Sequence, residues 1–508
     1  MNHDYDIAII GLGPVGSFAA LLLEKKGLKV IAIDKEKDIY SLPRAVSISD
    51  QGLRMTQEVE IDDIYIKHST EVGGAGFVDK ELKFIGEPID LKGFTTPNGW
   101  PPMRFFHQPY TDKEIRKKLD ETSVTILLEH EMMSVEDNDE GIKFITRNLI
   151  DSNEQEYSCK YLIGADGGSS AVRKLLKITQ EDLDYNRDWV VVDVELTGKN
   201  RLDDKAIQIC DSERIGTFIP SHLPFRRWEF IIYEDEDKND FEDDKKIQEL
   251  IGRWLEPDEY KIIRKAVYQF HSVLADNFRK GNCFLIGDAA HQNPPFMGEG
   301  MMSGYRDAFN LAWKISYVIN NNFSPILLDS YQEERRPHAN FVVENSAGIG
   351  ELMEAYANAN DPEDVPEELV AKGYGSFILP NLDEGLFFGG KALDSMAAGQ
   401  IFPQIVLYTD GVIEERKDHL LGNGFSFISK NKIKILDQHK EFLDQLNCKF
   451  ITVETDVLES NPWVSGFLEL GDTFVIRPDK YIYGCSSNNV SLEEIIDDLK
   501  ARMIRNLR

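Results

Sequence analysis

The tightest constraint on this chain lies near its start, where Gly11-Leu12-Gly13-Pro14-Val15-Gly16 joins a short apolar strand, Asp6 to Ile10, to a helix. Val15, Phe18, Ala19, Leu22 and Leu23 recur at helical spacing, Gly27 fits the helix exit, and Leu28 to Ile33 read as a second apolar strand ending at Asp34. Glycines at 11, 13 and 16 permit a tight turn, close approach of a pyrophosphate to the backbone, and close packing of helix on strand. The helix N-terminus offers unpaired N–H groups to the phosphates. Asp34 stands at a strand end, where a carboxylate can accept hydrogen bonds from a ribose. Glycine spacing alone is a weak signal. Strand, helix, strand and acid in this order point to a dinucleotide-binding βαβ unit.

With 508 residues, 42% of them hydrophobic, the chain can build about two to four domains. Met1 to Asp6 lead directly into a strand and no apolar stretch approaches a membrane span, so neither a signal peptide nor stable membrane insertion is expected. Lys plus Arg total 57 against 88 Asp plus Glu, a net charge of -31. Such a field repels polyanions, so nucleic acid is not an expected partner. A locally positive pocket for a dinucleotide or an anionic small substrate stays compatible with it. Cys159, Cys210, Cys283, Cys448 and Cys485 are scattered, form no CxxC and show no metal-ligand spacing with histidines. They read as isolated reduced thiols in a cytoplasmic protein, and no metal is expected.

Further along, Glu71 to Phe106 hold short strand candidates with turn signals at Gly73-Gly74 and Pro97-Asn98-Gly99. Residues 113–121 suggest a charged amphipathic helix, and 124–163 strands ending in Tyr161-Leu162-Ile163. Trp189 to Val194, Ile215 to Ile219, Trp228 to Tyr233 and Ala266 to Phe270 read as a second sheet inserted into the nucleotide-binding domain. The acidic segment Glu234 to Asp244 reads as a solvated loop or helix edge. Cys283 to Ile286 form another strand and Met301 to Ile319 a long helix. A helical connector and a separate α/β tail follow, with a strand at Thr473 to Ile476. The predicted division is 1–70 with 101–184 and 276–345 for the nucleotide-binding domain, 71–100 with 185–275 for the inserted substrate domain, 346–394 for the connector and 395–508 for the tail.

Two later glycine turns follow apolar strands. In Gly164-Ala165-Asp166-Gly167-Gly168, Asp166 can equally be a helix cap ahead of Ser170 and Arg173. Gly287-Asp288-Ala289-Ala290-His291 repeats the arrangement, and Asp288 could reach a ribityl hydroxyl. Pro294-Pro295 and Gly298-Glu299-Gly300 then let backbone approach an isoalloxazine before the helix that begins near Met301, whose N-terminus could stabilise negative charge on a reduced flavin.

Together, GLGPVG at 11–16, GADGGSSAVR at 164–173 and GDAAHQNPPFMGEGMMSGYRDAFNLAWK at 287–314 resemble the single-component, class A flavoprotein aromatic hydroxylases, nearest the 3-(3-hydroxyphenyl)propionate hydroxylase-like enzymes. PRAVSIS at 43–49, HQP at 107–109, RRWEF at 226–230 and RPDKYIYG at 477–484 add to the likeness. It covers about 1–345 strongly and the tail weakly. The resemblance implies an α/β fold: an FAD-binding Rossmann-like domain, an inserted β-rich substrate domain, and a C-terminal thioredoxin-like domain without CxxC. It further implies that Asp34 holds the adenosine ribose, Arg44 and Gln108 help position FAD, Asp288 contacts its ribityl-pyrophosphate part, and Asp166 and Gly167 serve FAD and NAD(P)H handling. Two departures stand out: Glu299 where the family commonly has Gln, and Ser169 where Arg is frequent. A carboxylate at 299 could disturb the flavin unless protonated, paired or turned away.

The expected activity is an NAD(P)H-dependent monooxygenation, in which a C4a-hydroperoxyflavin hydroxylates a phenolic or polyketide-like aromatic ring. The expected partners are a small aromatic substrate and dioxygen, and homodimerisation stays open. His107, Arg226, Tyr268 and His291 are the polar candidates for the catalytic centre. Three of them have a plainer reading: His291 as a satisfied turn residue, Arg226 as a surface residue on a strand, Tyr268 as packing. The alternatives are an FAD oxygenase of a non-aromatic or heteroaromatic enol, and an FAD-binding protein without turnover.

Overall fold

Uninterrupted apolar runs make the central strands. In the computed structural model, which describes residues 3–138, 140–375, 379–390, 397–409 and 412–504, Tyr5–Ile10 runs parallel between Val30–Ile33 and Glu154–Gly164. Thr125–Leu127 extends the parallel sheet beyond Val30–Ile33, and Cys283–Leu285 beyond Glu154–Gly164. Ile7, Ala8, Ile9, Ile31, Ala32 and Ile33 are fully buried, as strands covered on both faces require. The helix Pro14–Lys25 packs against the helix Gly300–Asn320, where the rings of Phe18 and Tyr305 stack with centroids 4.4 Å apart. The second half of Glu154–Gly164 belongs to this sheet, while its start continues as an antiparallel ribbon with Gly141–Asn148 and His130–Asn138.

A second sheet has seven strands in the order Tyr260–Phe270, Arg187–Leu196, Phe225–Ile232, Gly216–Ile219, Lys205–Ile209, Gly74–Val78 and Phe84–Asp90. The inserted β-rich layer is therefore built from two stretches of chain, joined where Lys205–Ile209 runs parallel to Gly74–Val78. Lys205–Ile209 was not among the expected strands, because Lys205 and Gln208 break its apolar pattern. Every residue of Phe225–Ile232 is buried. On one face Trp228, Phe230 and Ile232 pack with Val190, Val192 and the helix Asp244–Ile251. The other face carries Arg227, Glu229 and Ile231.

Helix Gly300–Asn320 is followed by the long helix Asp329–Asn358, which has Pro337 in its interior. Part of the expected connector and its boundary with the tail lie outside the described residues. In the tail, Lys449–Thr452, Ser426–Ser429, Thr473–Ile476 and Ile482–Cys485 form a four-stranded sheet in that order. The first pair is parallel and the other two are antiparallel. Among the described residues, no helix is long and apolar enough to cross a membrane, and no cluster of His, Cys, Asp and Glu could hold a metal ion.

Candidate functional site

Three glycine turns meet at the carboxyl ends of the parallel strands. Gly11 has a φ of +99°, and a Cβ there would lie 2.4 Å from the Ala165 carbonyl oxygen; one on Gly16 would lie 1.9 Å from that of Gly11. The first two turns touch backbone to backbone, which only glycine allows. Gly13 differs: nothing lies within 4 Å of its Cβ position. Pro14 occupies the first turn of the helix, where its missing N–H costs no hydrogen bond. Asp34 accepts from the backbone N–H of Leu12 at 2.6 Å and of Glu36 at 2.8 Å, fixing the turn to the end of the second strand.

Asp166 caps the helix Ala171–Leu175, accepting from Ser170 Oγ and the N–H groups of Ala171 and Val172. Arg173 donates to the Ala289 carbonyl at 2.9 Å and to the Gly168 carbonyl at 2.8 Å, tying the second turn to the third. The third turn is tied in turn to the helix Gly300–Asn320. Asp307 accepts from the Gly287 N–H at 3.0 Å and from Arg335 Nε at 2.9 Å, and its Oδ2 lies 2.8 Å from His291 Nε2. Burial pushes the Asp307 carboxyl up, but the charges of His291 and Arg335 hold it below the ordinary value. Asp288 is exposed beside this knot and takes no hydrogen bond from any described residue.

The loop ahead of Gly300–Asn320 borders a cavity of about 600 Å³. Pro295–Met297 is one 3₁₀ turn, and Gly298 follows at a φ of +67°. Ser47 Oγ donates to the Gly298 carbonyl at 2.9 Å. The inserted sheet supplies Gln208, Thr217 and Glu229 to the wall, and the tail supplies Ile401, Phe467 and Tyr481. Asp50, Gln51 and His338 also line it, alongside Glu299. Burial lifts the Glu229 carboxyl to about 7, partly offset by Arg227, whose Nη1 lies 3.7 Å away.

The four polar candidates do not converge on this cavity. His107 is stacked on Phe225 with centroids 3.9 Å apart, and burial lowers it to about 4. Tyr268 accepts from Arg264 on the edge strand of the inserted sheet, on the same face as Glu229 but outside the cavity wall. His291 belongs to the Asp307 knot. The surface reading of Arg226 is corrected: it is 3% exposed and donates to the carbonyls of Ser221 and Phe225. Its strand is covered on both faces, which a charged residue in an alternating pattern does not announce. Gln108 accepts from the N–H groups of Arg44 and Ala45 at 2.9 and 2.7 Å, so it shapes the 44–45 backbone, while the Arg44 side chain is exposed over the Tyr40 ring.

A family model described as "FAD binding domain" matches residues 4–346. The chain belongs to this FAD-binding family. Within it, the chain is related to the class A, single-component aromatic hydroxylases. It is 31% identical over 357 residues, 70% of its length, to a 3-(3-hydroxy-phenyl)propionate/3-hydroxycinnamic acid hydroxylase of Escherichia coli O81 (strain ED1a). It is also 31% identical over 353 residues to the corresponding enzyme of Mycolicibacterium smegmatis. The chain spans 63% and 61% of the lengths of these two relatives. Its fold is that of the flavin-dependent monooxygenase PieE in complex with FAD and substrate (TM-score 0.80, 17% identity, 99% of this chain and 100% of that one). It is likewise similar to aklavinone-11 hydroxylase with FAD and aklavinone (TM-score 0.78, 19% identity, 100% of both chains).

The residues fit FAD. Open space at Gly13 and at Gly167, which has a φ of +78°, leaves backbone accessible to a pyrophosphate. The unpartnered Asp288 suits a hydroxyl donor. Glu299, expected to disturb the flavin unless paired, is paired: Arg306 Nη1 donates to its Oε2 at 2.6 Å, and Arg306 Nε donates to Gln51 at 2.6 Å. Its charge is therefore balanced beside the loop. Gly300 and Met301 open the helix, and Met301 packs into the core. Ser169, the other departure, is exposed.

Sequence reasoning missed His338, Glu229, Asp50 and the tail's share of the wall. For Glu229 a signal existed, a lone acid in the otherwise aromatic and basic RRWEF strand. For His338 the only mark is its place after Pro337 inside a long helix.

Proposed function

We propose that the chain is an FAD-dependent monooxygenase that uses NAD(P)H and dioxygen to hydroxylate a phenolic or polyketide-like aromatic substrate. The observation that carries this reading is the cavity at the Phe296–Glu299 loop, walled by the inserted sheet and the tail. Bound FAD, reduced by NAD(P)H, supplies the transfer of one atom of dioxygen to the ring. The chain's own work is placement. Asp307, with His291 and Arg335, holds the Asp288 turn against the helix. The N–H groups at the start of the Gly300 helix would favour negative charge on a flavin held against this loop. Val72, Phe77, Phe105 and Ile401 keep water from the ring. The names of the relatives that act on 3-(3-hydroxy-phenyl)propionate and 3-hydroxycinnamic acid support an aromatic substrate.

The same reading extends to the whole chain. The division expected above, with 1–70, 101–184 and 276–345 carrying FAD and 71–100 with 185–275 facing the substrate, is supported by the two sheets. A thioredoxin-like tail is supported by the strand order of its sheet, in which the second strand in sequence lies outside the first and the third and fourth follow on the other side. A cytoplasmic location is supported by the scattered spacing of the cysteines in the sequence, which form no CxxC.

The test is a purified, yellow protein in which a phenolic substrate stimulates NAD(P)H consumption and the product carries oxygen-18 from labelled dioxygen. Flavin retention with no labelled product across phenols and polyketides would remove the hydroxylase reading and leave a flavin-binding protein.

A further inference from the structure

The charged part of the cavity's lining is acidic, and this bears on which aromatics it can take. Three carboxylates border it: Asp50, Glu229 and Glu299. Among the described residues, no Lys or Arg lines it. The guanidinium groups beside these carboxylates stand behind the wall and are already engaged, Arg306 with Glu299 at 2.6 Å and Arg227 3.7 Å from Glu229. Arg306 is held by Glu299 and Gln51, and its remaining Nη2 is sealed from solvent and cavity alike. Arg227 donates to Asp193 at 2.7 Å and to the carbonyls of Pro43 and Arg44. Arg54 is paired with Asp418 at 2.7 Å.

The polar atoms left over suit a neutral partner. Asp50 already accepts from Thr96 Oγ1 at 2.6 Å and Asn98 Nδ2 at 2.8 Å. Glu229 is 2% exposed and takes no hydrogen bond from any described residue. His338, 4% exposed, has an unpartnered Nδ1. Burial, reinforced by Arg335, Arg306 and His291, holds His338 well below its ordinary value, so it is a neutral imidazole and supplies no counter-charge. A hydroxyl can donate to Glu229 and exchange a hydrogen bond with His338. A carboxylate entering the same space would lose its hydration and meet like charge, with no unpaired Lys or Arg in the wall among the described residues.

We propose that this cavity selects an uncharged phenol or enol and turns away carboxylate-bearing phenols, with Glu229 as the residue that sets the discrimination. The proposal rests on the reading of the cavity as the substrate site. It also separates this chain from the relatives whose names specify phenylpropanoid acids.

The test is equilibrium binding to the FAD-loaded full chain at pH 8, where Glu229 is mostly ionised. The probes are 3-(3-hydroxyphenyl)propionate and its primary amide, which share ring and length and differ in charge. The amide should bind at least about tenfold tighter, and Glu229→Gln should bring the two affinities closer together. Equal or tighter binding of the acid, an unchanged ratio in Glu229→Gln, or binding of neither probe to flavin-loaded protein overturns the inference. Ala206→Trp, which fills the cavity from the inserted sheet, separates this failure from failure of the site itself. Loss of acid-preferring binding in that variant would retain the site and overturn only the charge rule. Amide binding that survives a filled cavity would overturn both. Ala206→Leu replaces it if the larger ring impairs flavin retention.

Discussion

Glu334 and Arg477, 143 residues apart in sequence, meet fork to fork in the core, with Nη1 2.9 Å from Oε1 and Nη2 2.7 Å from Oε2. Glu334 stands on the long helix Asp329–Asn358, and Arg477 in the turn after the tail strand Thr473–Ile476. Lys314 adds a second cation to Glu334 at 2.8 Å, and Asp479 a second anion to Arg477 at 2.6 Å. All four side chains are at most 1% exposed. This network fastens the tail to the flavin-binding half, and the tail in turn closes the cavity through Ile401 and Tyr481.

Removing one member should therefore cost far more than a surface ion pair would. Arg477→Met leaves Glu334 and Asp479 facing each other across a dry space with one cation between them. The expected loss is about 3–5 kcal/mol, read as a lowered urea midpoint. A loss below about 1 kcal/mol would mean that water reaches the network.

The same pair sets an acid limit. Burial alone would raise Glu334, but Arg477 and Lys314 together hold its carboxyl down at about 2, against 4.5 for an ordinary glutamate. The unfolded chain therefore takes up this proton before the folded chain does. The stability that Glu334 contributes is present in full above pH 4.5 and is lost as pH falls toward 2. Its size is on the order of 3 kcal/mol. Denaturation midpoints measured from pH 6 down to pH 3 should fall more steeply for the wild type than for Glu334→Gln.

The legible parts of this molecule were those governed by local constraints. Gly16 is dictated by a contact with the Gly11 carbonyl five residues earlier, so the βαβ unit could be read at once. The buried strands of the inserted sheet carried a visible pattern through Val190, Val192 and Val194. Contacts made across the chain left no such trace. Arg226 looks like a surface residue until both faces of its strand are covered. Asp50 and His338 reach the cavity from helix positions 288 residues apart, and Tyr481 arrives from the tail. Glu299 was read as an electrostatic problem, because its partner Arg306 is recognisable only once a helix places them one above the other.

Two glycines in the first turn should separate folding from cofactor binding. Gly16→Ala puts a methyl group into the Gly11 carbonyl and should cost about 1–3 kcal/mol or more. Gly13→Ala meets nothing within 4 Å and its backbone is compatible with alanine, so the unfolding midpoint should stay within about 0.5 kcal/mol of wild type. The added methyl occupies the space left for the pyrophosphate, and FAD affinity should fall by roughly tenfold or more. Titration of the apoprotein followed by flavin fluorescence, beside the urea midpoint, reads both.

Asp288→Ala should likewise weaken FAD without weakening the fold. The side chain is exposed and holds no other group in place, so its loss opens no cavity and orphans no donor. A charged hydrogen bond to a ribityl hydroxyl is worth about 1.5–3 kcal/mol, or roughly 10- to 150-fold in affinity. Unchanged affinity in dilute titration would remove Asp288 from the cofactor site.

Glu299 and Arg306 allow the sharpest separation of charge from packing. Glu299→Gln keeps an acceptor for Arg306 but removes its counter-charge, leaving a buried guanidinium whose Nη2 already lacks a partner. The expected cost is about 1–3 kcal/mol. Arg306→Gln leaves the carboxylate unpaired instead and should cost a similar amount or more. The double variant joins two amides that can satisfy each other, so its loss should be smaller than the sum of the two by at least about 1 kcal/mol. Strict additivity of the unfolding midpoints would mean that the two side chains do not share their charge. In Glu299→Gln the cavity wall also gains net positive charge beside the Phe296–Glu299 loop, so an anionic phenol should bind more tightly than to wild type while a neutral one is little changed. That opposite response of stability and anion affinity is expected from a pair that balances charge at the cavity, and a group engaged only in packing would not produce it.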